Sequence, residues 1–492
     1  MIFCLAAATA MLPHLNLWPR IAQDEVQILD LGRTALNPVT DWSMGWLVEE
    51  SRPRSAGRIS TVALQELAFA LTAPSNFGPR FFSLLGAILA ATAALGWLLA
   101  RSSPPLAALL LASAFLLDPL FNESYRQARV DSWAFVFVLS ACWLLQATRG
   151  PMPSAQRRWW LLFVAGLFAG SAPSVWKTSY ALMPLVALEF FYVLQAVWRR
   201  AAERPLSRVL SNGAGFVAGG AIAFVSLHAG VFLNWASYLT NLQRDFRVQS
   251  AGVVTSRNIF DMYFLYDPII VLAVVASLLI RRELGLFLAL AVSLLMMYQT
   301  MMYPMRILYL LPYFAAIIGG ACAVIASGRE KPRRKAILIG TLALLISWNA
   351  GVSLVKRPLI AYFQQDARSP DHIREVLEDA IGVGPYRVLL EEWDMYYAAR
   401  SLGWKSYKVY GPLRRRSPKF REFLKGMDYV IQRNNYQHLV SSEEQLEAAG
   451  FRQVSTLSFM QPSITEISLG PFKVRAPNSV YDDAVVYQRV AK

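Results

Sequence analysis

The sequence predicts a mainly α-helical polytopic membrane protein that ends in a small extracytoplasmic α/β domain, and three observations carry that prediction. The chain of 492 residues is 55% hydrophobic and only 16% charged, too apolar for a water-soluble globule. Its apolar residues gather into runs of the roughly 17–25 residues that cross a bilayer. Beyond Val355 those runs stop, and apolar strand-like stretches alternate with helical ones, as in a compact α/β unit. Two domains follow, residues 1–355 in the membrane and 356–492 outside it.

On the length rule about eleven spans are expected, near residues 1–17, 79–100, 105–121, 132–148, 158–175, 178–198, 209–233, 264–280, 284–302, 307–326 and 336–355. The first lacks the basic start and small-residue cleavage site of a signal peptide and reads as an uncleaved span. Residues 59–73 are apolar but short, which suits an interfacial or re-entrant helix inside a long first loop, 18–78. Alternate connections hold fifteen basic residues: Arg101; Arg149, Arg157 and Arg158; Arg199, Arg200, Arg204 and Arg208; Arg281 and Arg282; Arg329, Lys331, Arg333, Arg334 and Lys335. Against them stand only Glu203, Glu283 and Glu330, so by the positive-inside rule these connections face the cytoplasm. The N-terminus is then cytoplasmic and the C-terminal domain lies on the outer side. The net charge of +15 would suggest nucleic acid in a soluble protein; here topology accounts for it, and no nucleic-acid partner is expected.

In the C-terminal domain, residues 388–390, 406–410 and 429–432 read as strands and 394–402, 418–424 and 442–449 as helices. No glycine-rich phosphate fingerprint opens any of these helices. Cys4, Cys142 and Cys322 lie within apolar runs, without the spacing of a metal site or a disulfide framework.

Candidate chemistry collects at the outer interface. Asp24 and Glu25 follow the first apolar run, and Arg129 and Asp131 open another on the same side. A carboxylate at the mouth of a membrane cavity can take the proton of a hydroxyl whose oxygen attacks a sugar carbon, and Asp24 is placed for this. A lipid-phosphate leaving group is an anion that guanidinium or ammonium groups, or a metal ion, stabilise. Arg58, Arg129, Lys177 and Arg306, all near outer ends of spans, are the candidates.

Gln23-Asp24-Glu25, followed by Asp30, Leu31, Gly32 and Arg33, resembles the first-loop signature of the GT-C glycosyltransferases. Ala128-Arg129-Val130-Asp131 is similar to the acidic motif in the second outer loop of their protein-mannosyltransferase and aminoarabinose-transferase branch. Asn76-Phe77-Gly78-Pro79-Arg80, Trp176-Lys177-Thr178, and Arg306 with Leu311-Pro312 fit the same order, and the resemblance runs over residues 1–320. It implies a GT-C fold and an inverting enzyme that moves a sugar from a polyprenyl-phosphate donor to a glycolipid, glycan or protein acceptor at the outer face of a bacterial inner membrane. By the resemblance, Asp24 is the base and Asp131 a second carboxylate, with Glu25, Arg58, Arg129, Lys177 and Arg306 binding substrate. Metal use varies in this family, so a divalent cation stays open. His14, His228, His372 and His438 form no ligand-spaced cluster, and no cofactor is assigned.

Blander readings stand beside these. Arg129 and Asp131 can form a local ion pair at a helix start, and Lys177 or Arg306 can snorkel from a helix end. Glu189, inside a span, signals function by default, yet lies several turns from the outer motifs and is expected to make a packing hydrogen bond. Gly215 and Gly219 are expected to let two helices approach closely. The aromatic loop 235–266 suits a lid or a headgroup anchor, and Arg414-Arg415-Arg416 a solvated turn. A transporter or flippase of a lipid-linked or anionic substrate is the rival function; it places binding groups at midplane within internal repeats, and no such repeat is evident here.

Overall fold

The computed structural model describes residues 2–36, 59–73, 75–150, 154–200, 205–229, 236, 267–298, 304–328, 331–390, 393–407, 423–433, 442–469, 472–478 and 480–490. The loop 235–266 (apart from Ala236), Arg58 and the Arg414–Arg416 run lie outside the described residues. The helices begin with α1 (Ile2–Met11), α2 (Gln23–Leu36), α3 (Ile59–Thr72), α4 (Phe77–Ala100), α5 (Pro105–Leu117), α6 (Pro119–Arg126) and α7 (Asp131–Thr148). They continue with α8 (Ala155–Val175), α9 (Met183–Arg200), α10 (Pro205–Leu227), α11 (Pro268–Leu278), α12 (Leu284–Tyr298), α13 (Leu311–Ala326) and α14 (Pro332–Ala350). Among the described residues six helices are long and apolar enough to cross a membrane, seven if the bent pair α5–α6 counts as one. The protein is thus a mainly helical membrane protein. The remaining segments of the expected eleven form helices that are shorter or less apolar, such as α11 and α12.

Proline sets the break between α5 and α6. Pro119 cannot donate to the preceding turn, the two helices meet at 53°, and Asp118 caps α6 by accepting from the Phe121 amide at 2.8 Å. The break exposes carbonyls inside the apolar body, where each needs a donor. The helical run from α14 through residues 351–363 supplies them: Asn349 donates to the Ala114 carbonyl at 3.0 Å, Ser353 to Leu117 at 2.7 Å and Arg357 to Pro119 at 2.7 Å. Arg357 also pairs with Glu123 on α6 at 2.8 Å, so the run that leads out of the membrane clamps the helix preceding the Arg129–Asp131 motif.

Glycine lets α8 and α10 touch backbone to backbone. A Cβ on Gly219 would collide with the Phe163 carbonyl, and one on Gly166 with the Phe216 carbonyl. Gly219 meets its expectation against backbone, and Gly215 makes room for the Trp159 ring of the same helix α8. Glu189 accepts from Trp97 Nε1 at 3.1 Å and from Arg101 and Gln146, while Arg101 also binds Glu283 at 2.9 and 3.0 Å. Arg101 follows the last residue of α4 and Arg80 lies in its first turn, about 30 Å apart at 1.5 Å per residue. The Glu189 network therefore ties helix ends together at one end of the body, and the acidic motifs stand at the other.

A π-helical stretch (Gly351–Lys356) carries α14 into α15 (Arg357–Phe363), α16 (Gln365–Arg368) and α17 (Pro370–Ile381). There follow β1 (Arg387–Leu390), α18 (Tyr396–Ser401), β2 (Lys405–Tyr407), β3 (Tyr429–Arg433), α19 (Glu443–Ala448), β4 (Phe451–Leu457), β5 (Glu466–Leu469), β6 (Phe472–Arg475) and β7 (Ala484–Arg489). The main sheet has the order β2-β1-β3-β7-β4, parallel from β2 to β3 and antiparallel where β7 joins β3 and β4. The strands expected at 388–390 and 429–432 are β1 and β3; that at 406–410 is β2 as far as Tyr407. The helices expected at 394–402 and 442–449 are α18 and α19, the latter opened by a Ser442–Gln445 capping box; 418–422 lie outside the described residues.

Candidate active site

The site is built where the turn after α1 meets the first turn of α2. Glu25 is 1% exposed, and both its oxygens accept from Arg80, Nε and Nη2 at 2.9 Å each. The same guanidinium donates to the Leu15 carbonyl at 3.0 Å, and Arg126 donates to the Met11 carbonyl at the end of α1 at 2.9 Å. A buried carboxylate with this many donors is immobile. Neighbouring helical residues point about 100° apart, so pinning Glu25 inward turns Asp24 outward.

Asp24 pairs there with Arg129, whose Nε donates to Asp131 Oδ2 at 2.7 Å. One guanidinium therefore joins two carboxylates that are far apart in the sequence. Arg129 is placed by a turn in which Ala128 adopts a left-handed conformation, φ 49°; Gln65 of α3 donates to the Ala128 carbonyl at 3.0 Å, and Ser83 of α4 donates to the Arg129 carbonyl. Its guanidinium lies over the Trp176 ring at 5.6 Å. Asp131 opens α7, where a carboxylate suits the helix dipole, and it also accepts from Tyr309 at 2.7 Å and Ser124 at 3.1 Å. The two acids differ in access: the Asp24 side chain is 34% exposed and that of Asp131 1%.

The remaining candidates divide. Arg306 stands on the 3-10 helix Pro304–Leu310, half-buried and one turn before Tyr309, on which its charge and that of Arg129 both act. Lys177 opens the 3-10 helix Lys177–Leu182 directly after Trp176; its side chain, like Arg58, lies outside the described residues. Glu25, expected to contact substrate, is buried against Arg80 and Tyr397, whereas the Asp24 side chain is partly exposed. Among the described residues no three His, Cys, Asp or Glu side chains stand where they could hold a metal, and the gap between the two carboxylates is filled by a guanidinium. Sequence reasoning missed Ser124, Tyr309 and Gln65. Arg80 and Trp176 did lie within the quoted motifs, but nothing marked them as parts of the site.

No protein-family model and no curated protein matches the sequence. Solved structures do. The crystal structure of ArnT from Cupriavidus metallidurans bound to undecaprenyl phosphate is similar at a TM-score of 0.56 and 13% identity, over 100% of this chain and 98% of that one. The apo form of the same protein gives 0.56 and 14%, over 100% and 97%. Arabinofuranosyltransferase AftD from Mycobacteria gives 0.56 and 14%, over 100% of this chain and 42% of that one. At such identities the likeness speaks for architecture alone, and it covers the whole chain: this protein has the GT-C fold, which it shares with ArnT and AftD.

Proposed function

We propose that the chain is an inverting glycosyltransferase that moves a sugar from a polyprenyl-phosphate donor to a hydroxyl of a glycolipid, glycan or protein at the outer face of a bacterial inner membrane. The observation that carries this reading is the Asp24–Arg129–Asp131 triplet, with one acid buried and fixed and the other partly open. The ArnT-like fold supports it, since one solved relative of that fold holds undecaprenyl phosphate. Basic residues cluster in the connections at the Glu189 end, which the positive-inside rule assigns to the cytoplasm. On that orientation Asp24 and the C-terminal domain, 356–492, share the outer side, and the membrane domain is 1–355.

In the proposed step the acceptor hydroxyl gives its proton to Asp24 as its oxygen attacks the anomeric carbon from the face opposite the phosphate. The bond from that carbon to the phosphate oxygen breaks, the electron pair leaves with the phosphate, and the sugar inverts. Arg129 is the group whose partner changes. At rest it occupies the lone pairs of Asp24; a donor phosphate offers it a stronger bidentate partner and frees Asp24 for the hydroxyl. Asp131, held by Tyr309 and Ser124, keeps the other edge of the guanidinium in place. Arg306 adds positive charge on the phosphate side, and Lys177 and Arg58 are assigned to the phosphate by the sequence resemblance alone.

The test is transfer by the purified full-length protein, given undecaprenyl-phosphate-linked arabinose, mannose or glucose and a lipid A, glycan or peptide acceptor, with products read by mass spectrometry. The expected result is a glycosylated acceptor of inverted anomeric configuration with release of undecaprenyl phosphate. Movement of a labelled donor across liposomes without any transfer would replace this reading with that of a flippase.

A further inference from the structure

The C-terminal sheet unit meets the membrane body through α18, and two polar contacts of that helix, from Tyr397 and Arg400, end one residue from the acidic triplet or its support. Tyr397 is 1% exposed and donates to Glu25 Oε1 at 3.1 Å; Glu25 adjoins Asp24. Burial, then the neighbouring Glu25 charge, pushes the Tyr397 phenol up, so it keeps the proton it donates. Arg400 grips Glu66 of α3 with both nitrogens, at 2.7 and 2.9 Å, and lies over the Phe69 ring at 4.5 Å. Glu66 adjoins Gln65, which holds the Ala128 carbonyl and through it the turn carrying Arg129. Tyr396 donates to Asp30 on α2 at 2.9 Å, and Asp394 accepts from Arg20 Nε at 2.8 Å. Between these bonds Ile21, Val26, Leu29 and Phe69 pack on the two tyrosine rings.

From these contacts we propose that α18 is a positioning element. Through Tyr397 it sets the rotation of α2, and hence the aim of Asp24; through Arg400 it sets the turn that presents Arg129. The C-terminal unit thereby completes the acidic site instead of merely standing beside it. Tyr397 and Arg400 touch no reacting atom in this scheme, and their effect passes wholly through Glu25 and Glu66. The kinetic part of the proposal rests on the transferase reading; the mechanical part does not.

Tyr397→Phe and Arg400→Ala in the full-length protein test both parts. In a transferring enzyme each lowers kcat about tenfold, the worth of one charge-assisted buried hydrogen bond, while KM for the donor and binding of undecaprenyl phosphate stay within about twofold. A merely structural contact would lower the amount of folded protein and leave kcat per folded molecule unchanged. Without any donor, amide exchange over residues 23–30 and 127–131 quickens in both variants and stays unchanged in α4. Unchanged kcat in a transferring enzyme overturns the proposal. So does unchanged exchange. If the wild type transfers no sugar yet exchange responds, the transferase reading falls and the mechanical coupling stands. Tyr397→Phe removes a single oxygen from a packed ring, so it decides the matter if Arg400→Ala does not fold.

Discussion

Replacing Arg129 by Gln separates the fixed half of the triplet from the exchangeable half. The Arg129 side chain is 6% exposed and that of Asp131 1%, whereas that of Asp24 is 34% exposed. Breaking a buried pair by removing one partner costs about 3–5 kcal/mol, because the remaining charge stays buried and uncompensated. Losing a half-exposed pair costs about 1 kcal/mol or less. Arg129→Gln should therefore destabilise chiefly through Asp131, lowering Tm by roughly 6–10 °C at about 2 °C per kcal/mol. Asp24→Asn should lower Tm by about 2 °C or less by the same conversion. Adding Asp131→Asn to Arg129→Gln removes the stranded charge and leaves an amide that still accepts from Tyr309, so the double variant should melt above Arg129→Gln alone. Melting curves of the four proteins in one detergent measure this. A double variant that melts at or below Arg129→Gln would refute the reasoning, since Asp131 would then carry no uncompensated charge when Arg129 is lost.

Three further outcomes follow from other parts of the structure. Burial raises the Asp30 carboxyl above its usual value of 3.8; its folded pKa exceeds the unfolded one, so its contribution to stability is present below the unfolded value and is lost as pH rises through the folded one. Asp30→Asn, which still accepts from Tyr396, should gain stability relative to wild type between pH 4 and pH 7, and melts at the two pH values would show no such gain if the sign were wrong. Glu189→Ala takes one of its two carboxylate partners from Arg101 and the acceptor from buried Trp97 Nε1 and Gln146 at the far end of the body, so it should cost about 3 kcal/mol with transfer per folded molecule within twofold of wild type; a tenfold loss of transfer would place chemistry there. Gly32→Ala drives a methyl into the Val62 carbonyl and should cost about 1–3 kcal/mol by parting α2 from α3, with a matching loss of transfer; an unchanged melt would mean that the two helices do not pack this closely.

How much was legible beforehand follows from the kind of signal each feature leaves. Apolar runs are contiguous, so α4, α7, α9 and α13 could be placed to within a few residues. Nothing in the run 105–121 except Asp118-Pro119 betrayed the bend between α5 and α6, because apolarity continues through it. In the C-terminal unit, β1 and β3 are short apolar runs flanked by polar residues and could be read. β4, β5 and β6 carry charged and polar residues on exposed positions, and β7 joins the sheet between strands distant in sequence; the pairing exists only in three dimensions. At the site, Asp24, Arg129 and Asp131 were visible because charges at the edge of an apolar run are costly and stand out. Tyr309 looked like any core aromatic, and Ser124 like any small polar residue, until the fold brought them to Asp131. Glu25 misled for the opposite reason: it shares Asp24's motif, but its partners Arg80 and Tyr397 come from α4, 55 residues on, and from α18, 372 residues on.

In the proposed reaction Asp24, released from Arg129, takes the acceptor's proton. Sugar transfer from an undecaprenyl-phosphate-linked sugar by Asp24→Asn, compared with wild type in equal amounts of membrane-inserted protein, tests it most directly. Near-complete loss of turnover with donor binding retained is the expected result. Full transfer by Asp24→Asn would remove Asp24 from the mechanism.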